Sequence, residues 1–102
     1  MNKSDYQILI QILNKYPYKF YAYGSRAKGT AKKYSDLDLC YRENIPSYKV
    51  VELEEELENS DLPFMVELVN WQRMHSDFRE RIQKDLVLIS PVSEQSNLSN
   101  SL

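Results

Sequence analysis

Apolar positions along the chain change period several times, and each change marks an element. Over residues 4–16 they recur at Tyr6, Leu9, Ile10, Leu13 and Tyr16, the spacing of an amphipathic helix that Pro17 stops. Ser4 and Gln7 read as a capping box at its start. Residues 18–23 are rich in aromatics and read as a strand ending at Gly24. A short helix over residues 25–31 follows, its N-terminus facing the turn, and Gly29 ends it. Residues 36–41, Asp-Leu-Asp-Leu-Cys-Tyr, alternate with period two and predict a second strand. A second long helix opens at Pro46-Ser47 and runs to Asn59, with Val50, Val51, Leu53 and Leu57 as its apolar stripe, until Asp61-Leu62-Pro63 breaks it. Residues 64–69 form a third strand. Ser76 and Asp77 cap a helix over 77–84 that turns Phe78 and Ile82 inward, and residues 86–89 make a final strand. This order of helices and strands, with no internal repeat, predicts an α/β (α+β) domain over residues 1–90, a small mixed β-sheet flanked by helices. Serine and asparagine dominate residues 91–102, which read as a disordered tail.

Composition narrows the function classes. With 102 residues the chain is one small domain, able to bury roughly 60–70% of its unfolded surface. A formal charge of −2 argues against a general nucleic-acid binder, which carries a basic excess. The distribution of charge says more than the sum. Arg26, Lys28, Lys32 and Lys33 form a basic cluster suited to phosphates, while Glu52, Glu54, Glu55, Glu56, Glu58 and Asp61 read as a solvated helix face. One cysteine and one histidine exclude an intrachain disulfide and the common zinc sites, and a reducing cytoplasm is the natural setting. No apolar run approaches the roughly 20 residues that span a membrane, and residues 1–5 lack the apolar stretch of a signal peptide.

The candidate chemistry lies in three places. Asp36 and Asp38, two apart on a strand, leave the same face roughly 6.5 Å apart, while Leu37, Leu39 and Tyr41 turn to the core. Paired carboxylates are hard oxygen ligands suited to magnesium, although a bare Asp-x-Asp is more often a solvated strand face. Both glycines of the chain fall in Gly24-Ser25-Arg26-Ala27-Lys28-Gly29, where a strand turning into a helix offers backbone N–H groups, a hydroxyl and two cations to an anion. Thr30 stands where a P-loop requires lysine, and no dinucleotide-binding glycine fingerprint occurs. Glu67, alone among apolar neighbours on the third strand, either faces solvent or joins Asp36 and Asp38 around a metal. Three acids suit a two-metal phosphoryl-type transfer, and the metal site is the reading adopted.

Gly24-Ser25, ten intervening residues and Asp36-x-Asp38 reproduce a signature of the DNA polymerase β-like nucleotidyltransferases. The string YGSRAKGTAKKYSDLDL closely resembles their minimal nucleotidyltransferase branch, and LPFMVELVNW resembles that branch's third-acid strand. The resemblance covers about residues 4–89. It implies that Gly24 and Ser25 hold a triphosphate, with Arg26 and Lys28 as further phosphate contacts, and that Asp36 and Asp38 bind two magnesium ions. Glu67 falls where the family usually has aspartate, a residue that ligates one metal and helps deprotonate the attacking hydroxyl. Proteins similar to this one are typically encoded beside a HEPN-domain protein, a helical and often RNA-cleaving toxin. They act as its antitoxin by transferring AMP from ATP to a tyrosine of the toxin. The resemblance thus implies a magnesium-dependent nucleotidyltransferase in a type VII-like toxin–antitoxin pair. The alternative, prompted by Glu67, is a catalytically weak nucleotide-binding antitoxin that neutralises its partner by complex formation alone. Transfer to a small molecule such as an aminoglycoside is a third and weaker reading, because those resemblances involve larger chains.

Other residues carry blander expectations. Of the eight tyrosines, Tyr18 and Tyr41 are expected to pack, while Tyr21, Tyr23 and Tyr34 flank the site, with packing again the better reading. His75 reads as a capping or surface residue, Cys40 as a half-buried structural thiol, and Trp71 as either a core anchor or part of a partner surface.

Overall fold

The computed structural model describes residues 2–24 and 36–90. The short helix expected over 25–31, its end at Gly29, Ser25, Arg26, Lys28, Tyr34 and the tail over 91–102 all lie outside the described residues. What is described is a mixed α+β domain: α1 (Lys3–Leu13), β1 (Phe20–Tyr23), β2 (Leu37–Tyr41), α2 (Ser47–Glu58), β3 (Val66–Asn70), a 3-10 turn (Trp71–Arg73), α3 (Ser76–Gln83) and β4 (Val87–Ser90). The four strands form one sheet in the order β3-β2-β1-β4. β1 runs antiparallel to both β2 and β4, and β2 pairs with β3 in parallel, joined by α2 as the crossover that a parallel connection requires. No helix among the described residues is long and apolar enough to cross a membrane.

Local chemistry sets the element ends, in places by residues other than those expected. Asn2, not Ser4, caps α1: its side-chain oxygen accepts from the Asp5 N–H at 2.8 Å and from the Ser4 hydroxyl at 3.0 Å. An amide side chain two residues earlier serves an orphan N–H group as well as the predicted capping box does. α2 has no side-chain cap, and the Pro46 carbonyl takes the Lys49 and Val50 N–H groups. α3 is capped by His75, whose Nδ1 accepts from the Asp77 N–H at 3.2 Å, so the capping role falls to His75 and not to Ser76 or Asp77.

Side chains bury on both faces of the sheet. On one face, Leu9, Ile12 and Leu13 of α1 and Leu53 and Leu57 of α2 close over Phe20, Ala22, Leu37 and Leu39. Phe20 and Tyr41 meet edge to face at 6.5 Å. Ile12 takes a core place, whereas Tyr6 is left partly exposed. Where α1 meets α2, Lys15 forms an ion pair with Glu56, and the Tyr16 hydroxyl donates to the same carboxylate at 3.0 Å. The lysine, as the larger cause, and the tyrosine hold Glu56 below its usual carboxylate range. That contribution is present at neutral pH and is lost as the pH falls through the lowered value. The opposite face carries Tyr23, Cys40, Trp71 and Met74, covered by Phe78 and Ile82 of α3.

The expected apolar stripe of α2 is only partly buried. Leu53 is 2% exposed, but Val51 is 50% exposed. Leu53→Ala should therefore cost about 2–5 kcal/mol in urea unfolding, the range for a cavity in a packed core. Val51→Ala should stay within about 0.5 kcal/mol of the parent. Equal losses from the two substitutions would contradict this packing.

Candidate active site

The site is built by strand register. β1 sets Tyr23 opposite Asp38, and β2 sets Asp38 opposite Glu67 in the parallel pairing, so the three form a row across the sheet. They lie on the face that carries Cys40 and Trp71, because alternate residues of a strand share a face. Asp36 sits just before β2, exposed, within electrostatic reach of Asp38. The expected proximity of Asp36 and Asp38 is present, although β2 begins one residue later, at Leu37.

Gly24 ends β1 with a φ of +84°, a conformation that only glycine adopts freely. A Cβ at this position would lie 2.9 Å from Oδ2 of Asp38. Glycine here serves two ends: it turns the chain away from the strand, and it lets the Asp38 carboxylate lie against bare backbone.

The electrostatics of the row follow from partial burial and like charge. Desolvation raises the Asp38 carboxyl above its ordinary range, and the Glu67 charge, a hydrogen bond with Glu67 and the Asp36 charge raise it further. The sign is destabilising. A carboxyl with a raised folded-state pKa loses folding free energy as the pH climbs past the unfolded value, because the native site resists ionising. Burial, then the Asp38 charge, pushes the Tyr23 hydroxyl up to about 12, so it stays neutral beside the acids. Tyr23 also packs edge to face on Phe78 at 5.9 Å, which fixes its ring under α3.

Glu67 meets the solvent-facing alternative: it is exposed at the sheet edge, and its side chain is hydrogen-bonded to Asp38. Among the described residues no three His, Cys, Asp or Glu side chains close into a metal cage. The donor set nonetheless fits magnesium, which takes oxygen ligands, needs only one or two carboxylates, and completes its shell with substrate phosphates and water. Crowding of Asp36, Asp38 and Glu67 is the electrostatic situation that a divalent cation relieves.

Several neighbours have structural roles. Cys40 is fully buried rather than half-buried, and burial pushes its thiol up to about 11, which keeps it protonated and unreactive. Trp71 is a core anchor, with the Arg42 guanidinium over its ring at 4.6 Å and that of Arg79 at 6.0 Å. Tyr41 packs in the core as expected, and Tyr18 packs against it. Sequence reasoning missed an open cavity of about 720 Å³ beside β3, where Glu54 and Glu58 of α2 share the lining with Asp36 and Glu67. The signal was the acidic stretch of α2, read as a solvated face because nothing local said which glutamates turn toward β3.

The mixed four-stranded sheet with its helices is the fold of a nucleotidyltransferase domain, and comparison with known proteins agrees. The family model described as "Polymerase beta, Nucleotidyltransferase" matches residues 7–95. The chain belongs to this family. It is also similar to a protein of Haemophilus influenzae named "Probable protein adenylyltransferase MntA", with 46% identity over 74 residues. That match covers 71% of this chain and 65% of the relative, slightly under two thirds of the relative's length.

The close approach at Gly24 can be measured. Gly24→Ala should destabilise the protein by at least about 1–2 kcal/mol, the penalty of a left-handed non-glycine residue. Combined with Asp38→Ala, which removes the carboxylate that the new methyl meets, the loss should fall short of the sum by about 0.5–3 kcal/mol. Strict additivity in denaturant unfolding would show that the carboxylate does not constrain this position.

Proposed function

We propose that this protein is a magnesium-dependent nucleotidyltransferase that moves AMP from ATP to a hydroxyl of a partner protein. The observation that carries the reading is the Asp38–Glu67 pairing in register, with Gly24 making room for the Asp38 carboxylate. The name of the Haemophilus influenzae relative, a probable protein adenylyltransferase, supports a protein acceptor. We further propose a HEPN-domain toxin as that partner, a tyrosine as the modified residue, and the antitoxin of a cytoplasmic type VII-like pair as the biological role.

In this reading Asp36 and Asp38 hold magnesium, and Glu67 joins them at the edge where an acceptor can arrive. Magnesium, when bound, neutralises charge on the triphosphate and on the departing pyrophosphate. Gly24 and Ser25 hold the triphosphate, with Arg26 and Lys28 as charge-assisted contacts to its oxygens. The acceptor oxygen forms a bond to the α-phosphorus and the bond from that phosphorus to the α–β bridging oxygen breaks. The acceptor's proton passes to the Glu67 carboxylate and then to water, and pyrophosphate leaves. Tyr23, neutral throughout the working range, offers a hydroxyl beside Asp38 without adding charge.

Two outcomes check this reading. ATP labelled at the α-phosphate, incubated with magnesium and the cognate HEPN protein, should label that protein. Asp36→Ala with Asp38→Ala should reduce the label by at least about 100-fold, since even outer-shell changes around a metal cost 10–100-fold. If the label persists in that variant, the acids are not the machinery; if the unlabelled variant still neutralises its partner in cells, complex formation alone suffices. Magnesium should also raise the melting temperature of the wild type. Asp38→Asn should lose most of that gain, yet be at least as stable as wild type in chelator, because it removes a like charge from the row.

A further inference from the structure

Among the described residues, two of the open cavities extend beyond the immediate contact between Asp38 and Glu67. The smaller, about 430 Å³, is lined by Arg42 and Arg79, whose guanidinium groups are already engaged on the Trp71 ring. The larger, about 720 Å³, runs beside β3, and nucleotide chemistry does not account for its composition. Its wall is apolar, with Leu57, Leu62 and Met65 among the lining, and its rim carries Glu54 and Glu58. A triphosphate would be repelled by that rim.

Three features of the groove point to one kind of occupant. β3 is the terminal strand and pairs with β2 alone among the described residues, so an extended chain could add along its outer edge through main-chain hydrogen bonds. Glu54 and Glu58 stand four residues apart on α2, a mutually repulsive spacing. Neither is ion-paired with a described residue in the way that Glu56 is with Lys15. Such a rim is complementary to lysine or arginine. Met65, immediately before β3, is 72% exposed at the apolar wall, a large hydrophobic side chain left in water beside the acids. A small polyamine or aminoglycoside would satisfy the charge but leave the apolar wall and the strand edge unused. A polypeptide satisfies all three.

We propose that this groove docks the acceptor, as an extended basic segment of the partner protein in which lysine or arginine flanks apolar residues and a hydroxyl residue. The segment adds along the outer edge of β3 and delivers its hydroxyl to Glu67, which lines the same groove. The inference rests on the protein-acceptor reading above, but it concerns residues outside the nucleotide chemistry.

The test uses the full chain and a fluorescein-labelled nonapeptide in which lysine and arginine alternate with valine around a central tyrosine. Fluorescence anisotropy should show saturable binding, and a counterpart with glutamate for every basic residue should not bind. E54K/E58K should weaken binding at least tenfold and E54Q/E58Q by an intermediate factor. Binding of a fluorescent ATP analogue with magnesium should change less than twofold in both variants. Both glutamates are exposed, and circular dichroism verifies that the variants fold. The proposal is overturned if E54K/E58K changes peptide affinity less than threefold, if the acidic counterpart binds equally well, or if kanamycin binds with this charge dependence while the peptide does not. Charge-dependent peptide binding without any binding of the ATP analogue would uphold the groove and overturn the nucleotidyltransferase reading. Intact ATP binding with an indifferent groove would do the reverse.

Discussion

Asp38, partly out of water, faces the exposed Glu67 across the parallel pair β2–β3 and is hydrogen-bonded to it, and much of the molecule exists to hold them there. Like charges at close range do not assemble unaided. The strands that carry them are held by the core on the opposite face, where Leu37 and Leu39 of β2 lie under α1 and α2. A parallel register also demands a crossover, and α2 provides it, anchored by Leu53 and Leu57. The stability of the apolar face thus offsets the electrostatic cost of the polar row. A divalent cation bound there would offset that cost and so raise folding stability.

The second face of the sheet has a different task. Tyr23, Cys40, Trp71 and Met74 pack under α3 and leave little freedom to the strand ends that bear the acids. The cysteine is spent entirely on packing, and the tryptophan serves as a flat support for two guanidinium groups. Rigid strands with charged groups at one end are what preorganised electrostatic catalysis needs, because the donor atoms do not have to be gathered when substrate arrives. Gly24 is the point of least tolerance in this arrangement: the chain must turn there with a positive φ, and any Cβ would press on the Asp38 carboxylate oxygen.

The crossover helix also shapes the surroundings of the site. Its buried Leu53 and Leu57 anchor it against the core, while Glu54 and Glu58 line a groove that Glu67 and Asp36 also line. One element therefore sets both the geometry of the acids and the charge of the approach to them.

Much of this was legible from pattern alone. The strict alternation of Asp-Leu-Asp-Leu-Cys-Tyr gave β2 and its two faces, the helical spacing of Leu9 and Leu13 gave α1, and the glycine–acid spacing pointed to the family. These features are local, since period and turn chemistry act within a few residues. The cap of α1 was missed for a related reason: Asn2 competes with Ser4, and small differences in chain path decide which one bonds, whereas His75, read as a capping or surface residue, does cap α3. Burial could not be read along α2, because the helical period alone left open whether Val51 or only Leu53 and Leu57 meet the sheet. The sequence by itself determined the types of element and the presence of three acids and a permissive glycine. Only the tertiary structure decided that Glu67 stands opposite Asp38, that Gly24 lies against the same carboxylate, and that two glutamates of α2 turn toward β3. Register and helix rotation are settled by packing between distant segments, on which local spacing has no hold.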